Sequence, residues 1–123
     1  MNDLDRELYE RAAAAAERAY APYSRFTVGA AARTSDGQVL EGVNVENAAY
    51  PLGICAERAA LARAVEAGYG PGDIDAVAVT ASPCGGCRQW LVEFRVSRVV
   101  YQRGAGDIVV RSADELLPDT FQL

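Results

Sequence analysis

Three cysteines and no histidine define the metal chemistry open to this chain of 123 residues. Cys84 and Cys87 form a Cys-x-x-Cys pair within Ser82-Pro83-Cys84-Gly85-Gly86-Cys87, and Cys55 stands 29 residues before the pair in Cys55-Ala56-Glu57-Arg58. A structural zinc site is closed by four sulfur or nitrogen ligands, and one copy of this chain offers only three. The fourth place on a zinc ion held here falls most naturally to water, and an open position is the mark of a catalytic zinc. Glu57, two residues after the first cysteine, is then the candidate proton carrier.

Charge balance adds a requirement. Three thiolates outweigh a divalent cation, which weakens it as a Lewis acid, so a positive group should compensate. Arg58 is placed to hydrogen-bond thiolate sulfur, with Arg88 a second candidate. Plainer readings compete at this point. The Cys-x-x-Cys pair is also the pattern of a redox couple, although that leaves Cys55 over. Cys55 alone reads as a core cysteine, and a zinc site closed by Asp, Glu or a second subunit is structural. Glu57 by itself reads as a solvated helix residue. Asn44-Val45-Glu46-Asn47 is either a polar turn or a loop edge offering an amide and a carboxylate to sugar hydroxyls; spacing does not decide.

Composition narrows the field. The length suits a single domain over residues 1–123, with half of its residues apolar. All twelve basic residues are arginine and the net charge is −5. With no basic cluster, a nucleic-acid partner is not expected, because phosphate-backbone binding rests on concentrated positive charge. The absence of histidine excludes Ser-His-Asp and Cys-His catalysis, and the absence of lysine excludes a Schiff base and a phosphate-loop lysine. No apolar run reaches the ~18 residues of a membrane span. The acidic start Met1-Asn2-Asp3-Leu4-Asp5 is unlike a signal peptide, so the expected compartment is the cytoplasm, where thiols stay reduced.

The elements that must position these side chains follow from pattern. Residues 3–20 predict a helix capped by Asp3 and filled with alanine, ending before Pro22. Residues 26–33 and 38–41 predict two strands joined by the Ser35-Asp36-Gly37 turn, and residues 44–54 a loop. Residues 55–68 predict a second helix ending at Gly68, 74–80 a central apolar strand, and 84–94 a third helix. Further strands are expected at 98–102 and 107–111. Ser112 to Glu115 is a capping box opening a short helix that stops at Pro118. Two strand-helix-strand passages argue for a mixed sheet with helices on both faces. The cysteines then fall at two helix starts, where unpaired N–H groups and the dipole favour thiolate.

Taken together, these motifs resemble the small homotetrameric cytidine deaminases. The resemblance rests on Ala21-Pro22-Tyr23-Ser24-Arg25-Phe26, on the run Gly42-Val43-Asn44-Val45-Glu46-Asn47-Ala48-Ala49-Tyr50, on Cys55-Ala56-Glu57-Arg58, on Ser82-Pro83-Cys84-Gly85-Gly86-Cys87-Arg88-Gln89 and on Leu116-Leu117-Pro118, in that order. Cys55-Ala56-Glu57 with Pro83-Cys84-Gly85-Gly86-Cys87 is similar to the three-cysteine zinc deaminase signature. The resemblance implies an α/β/α sandwich around a mixed five-stranded sheet. It implies one zinc ion per subunit on Cys55, Cys84 and Cys87, and hydrolysis of cytidine, with 2′-deoxycytidine, to uridine and ammonia in pyrimidine salvage. In that scheme Glu57 takes a proton from water, passes it to N3 and later protonates the leaving amine, and the Ala56 N–H meets the base carbonyl. Asn44 and Glu46 hold the 3′-hydroxyl, Phe26 packs on the base, and Arg58 bonds the thiolates. The partners implied are a nucleoside and further copies of the chain. Tyr50 and Phe121 are candidates to reach across a homotetramer interface into shared active sites.

Two other functions stay open on the sequence. One is a deaminase of another aminopyrimidine nucleoside, such as blasticidin S, although Glu46 suits a ribose hydroxyl. The other is a zinc-binding module without turnover. Thr80-Ala81 also leads almost directly into Ser82-Pro83, where family members often carry several more residues.

Overall fold

The computed structural model describes residues 1–123. Helix α1 (Asp3–Ala15) continues into a 3-10 turn (Ala16–Arg18) and precedes the hairpin β1 (Gly29–Thr34) and β2 (Val39–Val43). A 3-10 turn (Tyr50–Leu52) leads to α2 (Ala56–Glu66), β3 (Ile74–Val79), α3 (Gly85–Glu93), β4 (Arg98–Gln102), β5 (Ile108–Arg111) and the single-turn α4 (Ala113–Leu116). The strands form one sheet in the order β2-β1-β3-β4-β5. β3 and β4 are parallel, while β1 is antiparallel to both β2 and β3, and β5 to β4. The expected mixed five-stranded sheet is present.

The two faces of the sheet are sorted by side-chain size with a period of two. On one face Ala31, Ala76, Ala78 and Val100 pack with Leu8 and Ala12 of α1. On the other, Ala30, Ala32, Val77, Val79, Val99 and Tyr101 join Ala56, Ala60, Leu61, Leu91 and Val92 of α2 and α3. Small residues let α1 lie close to the sheet. The second face needs larger side chains to fill the space under two helices. Gly42 in β2 sets the height of α2, since a Cβ there would fall 2.4 Å from the Ala60 nitrogen and 2.5 Å from the Ala56 oxygen. The first turn of α2, which carries Cys55 and Glu57, therefore seats directly on the sheet.

Several boundaries differ from the sequence expectation. The cap of α1 is Asn2, not Asp3: the Asp5 N–H donates to Asn2 Oδ1 (2.8 Å) and the Asn2 N–H to Asp5 Oδ2 (3.2 Å). Asp3 instead accepts from Arg6 at 3.2 Å. Helix α1 stops short of residue 20 because Tyr20 pairs with the loop after β2, its N–H donating to the Asn44 carbonyl (3.0 Å) and its carbonyl accepting from the Glu46 N–H (2.8 Å). Strand β1 begins at Gly29, not at residue 26, because the Val28 N–H goes to the Asn44 side chain (2.8 Å) rather than to a strand. Asp5 is fully buried and bonds Arg98 on β4, with Arg98 Nε 3.2 Å from Asp5 Oδ1, so the first turn of α1 is tied to the middle of the sheet.

Candidate active site

Cys55 and Cys84 are the N-cap residues of α2 and α3, both extended just before their helices turn. Cys87 is the third residue of α3 and fully buried. Its N–H donates to Cys84 Sγ at 3.4 Å, so the backbone at the start of α3 helps hold that sulfur. Cys55 Sγ and Cys84 Sγ are 3.9 Å apart, and all three sulfurs lie within 4.8 Å of one another. Sulfurs about 2.3 Å from a tetrahedral zinc sit about 3.8 Å apart, so this spacing fits one shared ion. A disulfide would need about 2.05 Å, and none of the three cysteines is in one. Cys55 is thus part of a three-sulfur cluster and not a core residue left over from a redox pair.

Both helix starts point at the sulfurs, and their dipoles favour negative charge there. The Arg58 guanidinium adds a formal charge, with Nη2 3.8 Å from Cys84 Sγ. It can lie there because residue 86 has no side chain: a Cβ on Gly86 would fall 2.2 Å from Arg58 Nη2. Arg58 Nε is buried without a partner. Arg88, the second sequence candidate, does not serve the sulfurs. It donates through Nε to the Pro83 carbonyl (2.9 Å) and through Nη1 to the Leu116 carbonyl (3.1 Å), splinting the turn before Cys84 to α4.

Hydrogen bonding from the Cys87 thiol, assisted by Cys84 and the Arg58 charge, pulls the pKa of the Cys55 thiol down to about 6. The reciprocal sulfur contact with Cys55, together with burial, pushes Cys87 upward. Glu57 is 3 % exposed. Burial raises its carboxyl above the ordinary range, with the Cys55 charge acting in the same direction.

These groups form one end of a cleft of about 570 Å3, within the size range of small-molecule sites. Cys55, Ala56, Glu57 and Cys84 line that end, and Phe26, Asn44, Glu46 and Tyr50 line the remainder. The cleft thus gathers most of the residues singled out from the sequence, drawn from four separate segments of chain. Phe121 is not among the lining residues and stands 78 % exposed. The Asn44 amide accepts from the Val28 N–H (2.8 Å) and donates to the Phe26 carbonyl (2.9 Å), which leaves its second N–H and one lone pair for a ligand. Glu46 accepts from the N–H groups of Tyr23 (2.9 Å) and Ser24 (3.1 Å) and from the Ser24 hydroxyl. The Ser24 hydroxyl contact, followed by the two amides, holds the Glu46 carboxyl below the usual range.

The sequence analysis did not assign roles to Tyr23, Ser24, Ala81 or Ser82, which also line the cleft. For Tyr23, Ser24 and Ser82 the signal is their place inside the motifs that carry Phe26 and Cys84.

Residues 2–103 match the family profile for the cytidine and deoxycytidylate deaminase zinc-binding region. The chain is 44% identical over 127 residues to a cytidine deaminase of Halalkalibacterium halodurans, covering 96% of this chain and 95% of that one. It is 40% identical over 128 residues to a cytidine deaminase of Mycobacterium tuberculosis, covering all of this chain and 94% of that one. In three dimensions it superposes on the crystal structure of cytidine deaminase from Burkholderia pseudomallei with a TM-score of 0.89 at 49% identity, covering 98% of this chain and all of that one. Fold, sulfur cluster and sequence agree, and the chain belongs to the cytidine and deoxycytidylate deaminase family.

Proposed function

We propose that the chain is a zinc-dependent cytidine deaminase that hydrolyses cytidine and 2′-deoxycytidine to the corresponding uridine and ammonia, a reaction of pyrimidine salvage. The observation that carries this reading is the convergence of three cysteine sulfurs and the buried Glu57 at one end of a nucleoside-sized cleft. Cys55, Cys84 and Cys87 would hold the zinc ion, which would supply the Lewis acidity that activates the attacking water. Glu57 is the one carboxylate at that end. Its burial suits it to take a proton from the attacking water and deliver it to N3 of the base, and then to carry the proton of the new C4 hydroxyl to the amine that leaves as ammonia. The Ala56 N–H, at the first position of α2, has no partner within the helix and is free for the base carbonyl. Phe26 covers the base, and Asn44 and Glu46 receive the sugar. Arg58 offsets the excess negative charge of three thiolates.

The reading includes a homotetramer with shared sites. Support comes from the apolar rim of the cleft, where Tyr50 is 78 %, Phe26 62 % and Tyr23 49 % exposed. Rings left in water at the mouth of a nucleoside site suit coverage by a second copy. Tyr50 and Phe121 are the side chains free to extend to a neighbour. A second exposed pair, Val65 and Trp90, lies over the buried ring of Phe94, on which Trp90 stacks. Residues 1–123 act as one domain, with α1 and β5 both packed into the common sheet. No helix is long and apolar enough to cross a membrane, and three unpaired thiols suit the reducing cytoplasm.

Relatives on both sides of the match are named for cytidine, which favours it over blasticidin S. The deciding experiment is an ultraviolet assay on cytidine with zinc measured on the same sample. Stoichiometric zinc with turnover supports the reading; zinc without turnover on cytidine or 2′-deoxycytidine leaves a deaminase of another aminopyrimidine nucleoside, such as blasticidin S, or a binding module.

A further inference from the structure

We propose that Ser24 is a positioning residue for the sugar end of the cleft: it aims the Glu46 carboxylate and so sets the preference for a nucleoside carrying a 3′-hydroxyl. The inference rests on the reading of Glu46 as the acceptor for that hydroxyl.

The three donors on Glu46 all come from residues 23 and 24. They are divided unequally between the two oxygens. Oε1 takes both backbone N–H groups, at 2.9 and 3.1 Å, while Oε2 takes only the Ser24 hydroxyl. A carboxylate oxygen has two acceptor positions, so Oε1 is saturated and Oε2 keeps one for a ligand. Glu46 and Ser24 both line the cleft. The hydroxyl that sits on Oε2 is itself fixed, because Ser24 Oγ accepts from the Phe26 N–H at 3.0 Å. With its proton committed to Glu46 and a lone pair committed to Phe26, Ser24 can rotate freely toward neither. The two N–H groups hold Oε1, and the Ser24 hydroxyl, the one donor on Oε2, completes the fixing of the carboxylate about its terminal bond, a torsion that is otherwise broad.

The surrounding backbone shows that this arrangement is held against strain. Arg25, between Ser24 and Phe26, has φ of +60°, a left-handed conformation uncommon for a residue with a side chain. Such a turn persists where its neighbours over-determine it. Here the relay Glu46–Ser24–Phe26, with Asn44 on the Phe26 carbonyl, does so. The same hydroxyl therefore links the sugar acceptor to the aromatic residue that covers the base. A plain structural role for Ser24 would stabilise the turn for every substrate alike. A positioning role acts only on substrates that use Oε2.

Two nucleosides that differ solely at the 3′-position separate these roles. The zinc-loaded wild type, Ser24→Ala and Ser24→Thr are assayed for kcat/KM on 2′-deoxycytidine and 2′,3′-dideoxycytidine, with zinc content and thermal unfolding measured alongside. The wild type is expected to prefer 2′-deoxycytidine by about tenfold or more, the scale of a hydrogen bond to a charged acceptor. Ser24→Ala should reduce that preference by about fivefold or more through a higher KM for 2′-deoxycytidine, and Ser24→Thr, which restores the hydroxyl, should recover it. If Ser24→Ala lowers both substrates equally and leaves the ratio unchanged, the positioning role is overturned while the sugar reading of Glu46 stands. If the wild type itself does not discriminate between the two, the sugar reading fails first and the Ser24 role with it. Should Ser24→Ala not fold, Ser24→Cys keeps the volume with a poor donor and is held to the same ratio.

Discussion

The Arg58 guanidinium lies across the Cα of Gly86, in space that any side chain at residue 86 would occupy: a Cβ there would stand 2.2 Å from Arg58 Nη2. One arginine of α2 thereby reaches the cap cysteine of α3. Replacing Gly86 with alanine should push the guanidinium off Cys84 without altering any ligand. The displaced charge leaves the thiolates under-compensated, and groups that act on ligands from behind typically influence affinity or activity by about 10–100-fold. We therefore expect Gly86→Ala to fold, with zinc affinity or kcat/KM reduced on that scale. Competition with a coloured chelator and steady-state kinetics would measure both. Wild-type values for the two together would mean that the Arg58 contact with sulfur contributes nothing.

Glu57 is the sole carboxylate at the sulfur end of the cleft, and it is almost wholly buried. Glu57→Gln keeps the shape and removes the ability to carry a proton. Turnover of cytidine should fall by ~100-fold or more, the usual scale for a missing acid–base group, while zinc content and the unfolding transition stay near wild type. Near-normal turnover in the zinc-loaded variant would remove Glu57 from the mechanism.

Much of this site was legible in the sequence because its parts are local. Cys55-Ala56-Glu57-Arg58 and Cys84-Gly85-Gly86-Cys87 each occupy one helix start, and caps and small residues announce such starts. The near-continuous apolar run of β3 likewise declared a central strand, which it is. What the sequence concealed depends on contacts between distant segments. Tyr20 leaves its helix to pair with the loop beyond β2, and no local pattern encodes that partner. Arg88 carries the same charge as Arg58, but its place on α3 turns it to carbonyls of Pro83 and Leu116. Spacing leaves Asn44 and Glu46 as either a polar turn or hydroxyl binders, and only the resemblance assigns them to the sugar. That they also clamp the segment carrying Phe26 follows only from the packing of residues 23–28 against the loop after β2.

Cys87 is the buried member of the sulfur cluster, so its replacement tests whether the cluster acts as a unit. Cys87→Ala should lose bound zinc and activity together. Ligand binding to the native state adds stability that disappears with the ligand, about 4 kcal/mol when the free ion stands at a thousand times Kd. Zinc addition should therefore raise the Tm of the metal-stripped wild type and leave that of Cys87→Ala unmoved. A variant that retains tightly bound zinc would show that Cys87 is not a ligand.

Far from the cleft, Asp5 and Arg98 give the fold a defined acid sensitivity. Asp5 is fully buried at the start of α1. Its hydrogen bond from Arg98 comes first among the influences that hold its carboxyl below the ordinary range, reinforced by the Asn2 N–H and by the Arg98 and Arg33 charges against the opposing effect of burial. A carboxyl held lower in the folded than in the unfolded chain binds fewer protons when folded, so its contribution is full above the unfolded value near ~4 and is lost as pH falls through the folded one. Asp5→Asn retains a polar side chain at the end of α1 but not the charge. It should destabilise the protein by about 1.5–3 kcal/mol at pH 7, the range for a hydrogen bond to a charged group. The gap to wild type should stay level down to about pH 5 and shrink steadily below pH 4. Urea unfolding of both proteins at matched zinc loading, from pH 7 to pH 3, measures this difference, and the common loss of metal in acid cancels between them. A gap that keeps its full size at pH 3 would mean that the carboxylate charge on Asp5 does not stabilise the native state.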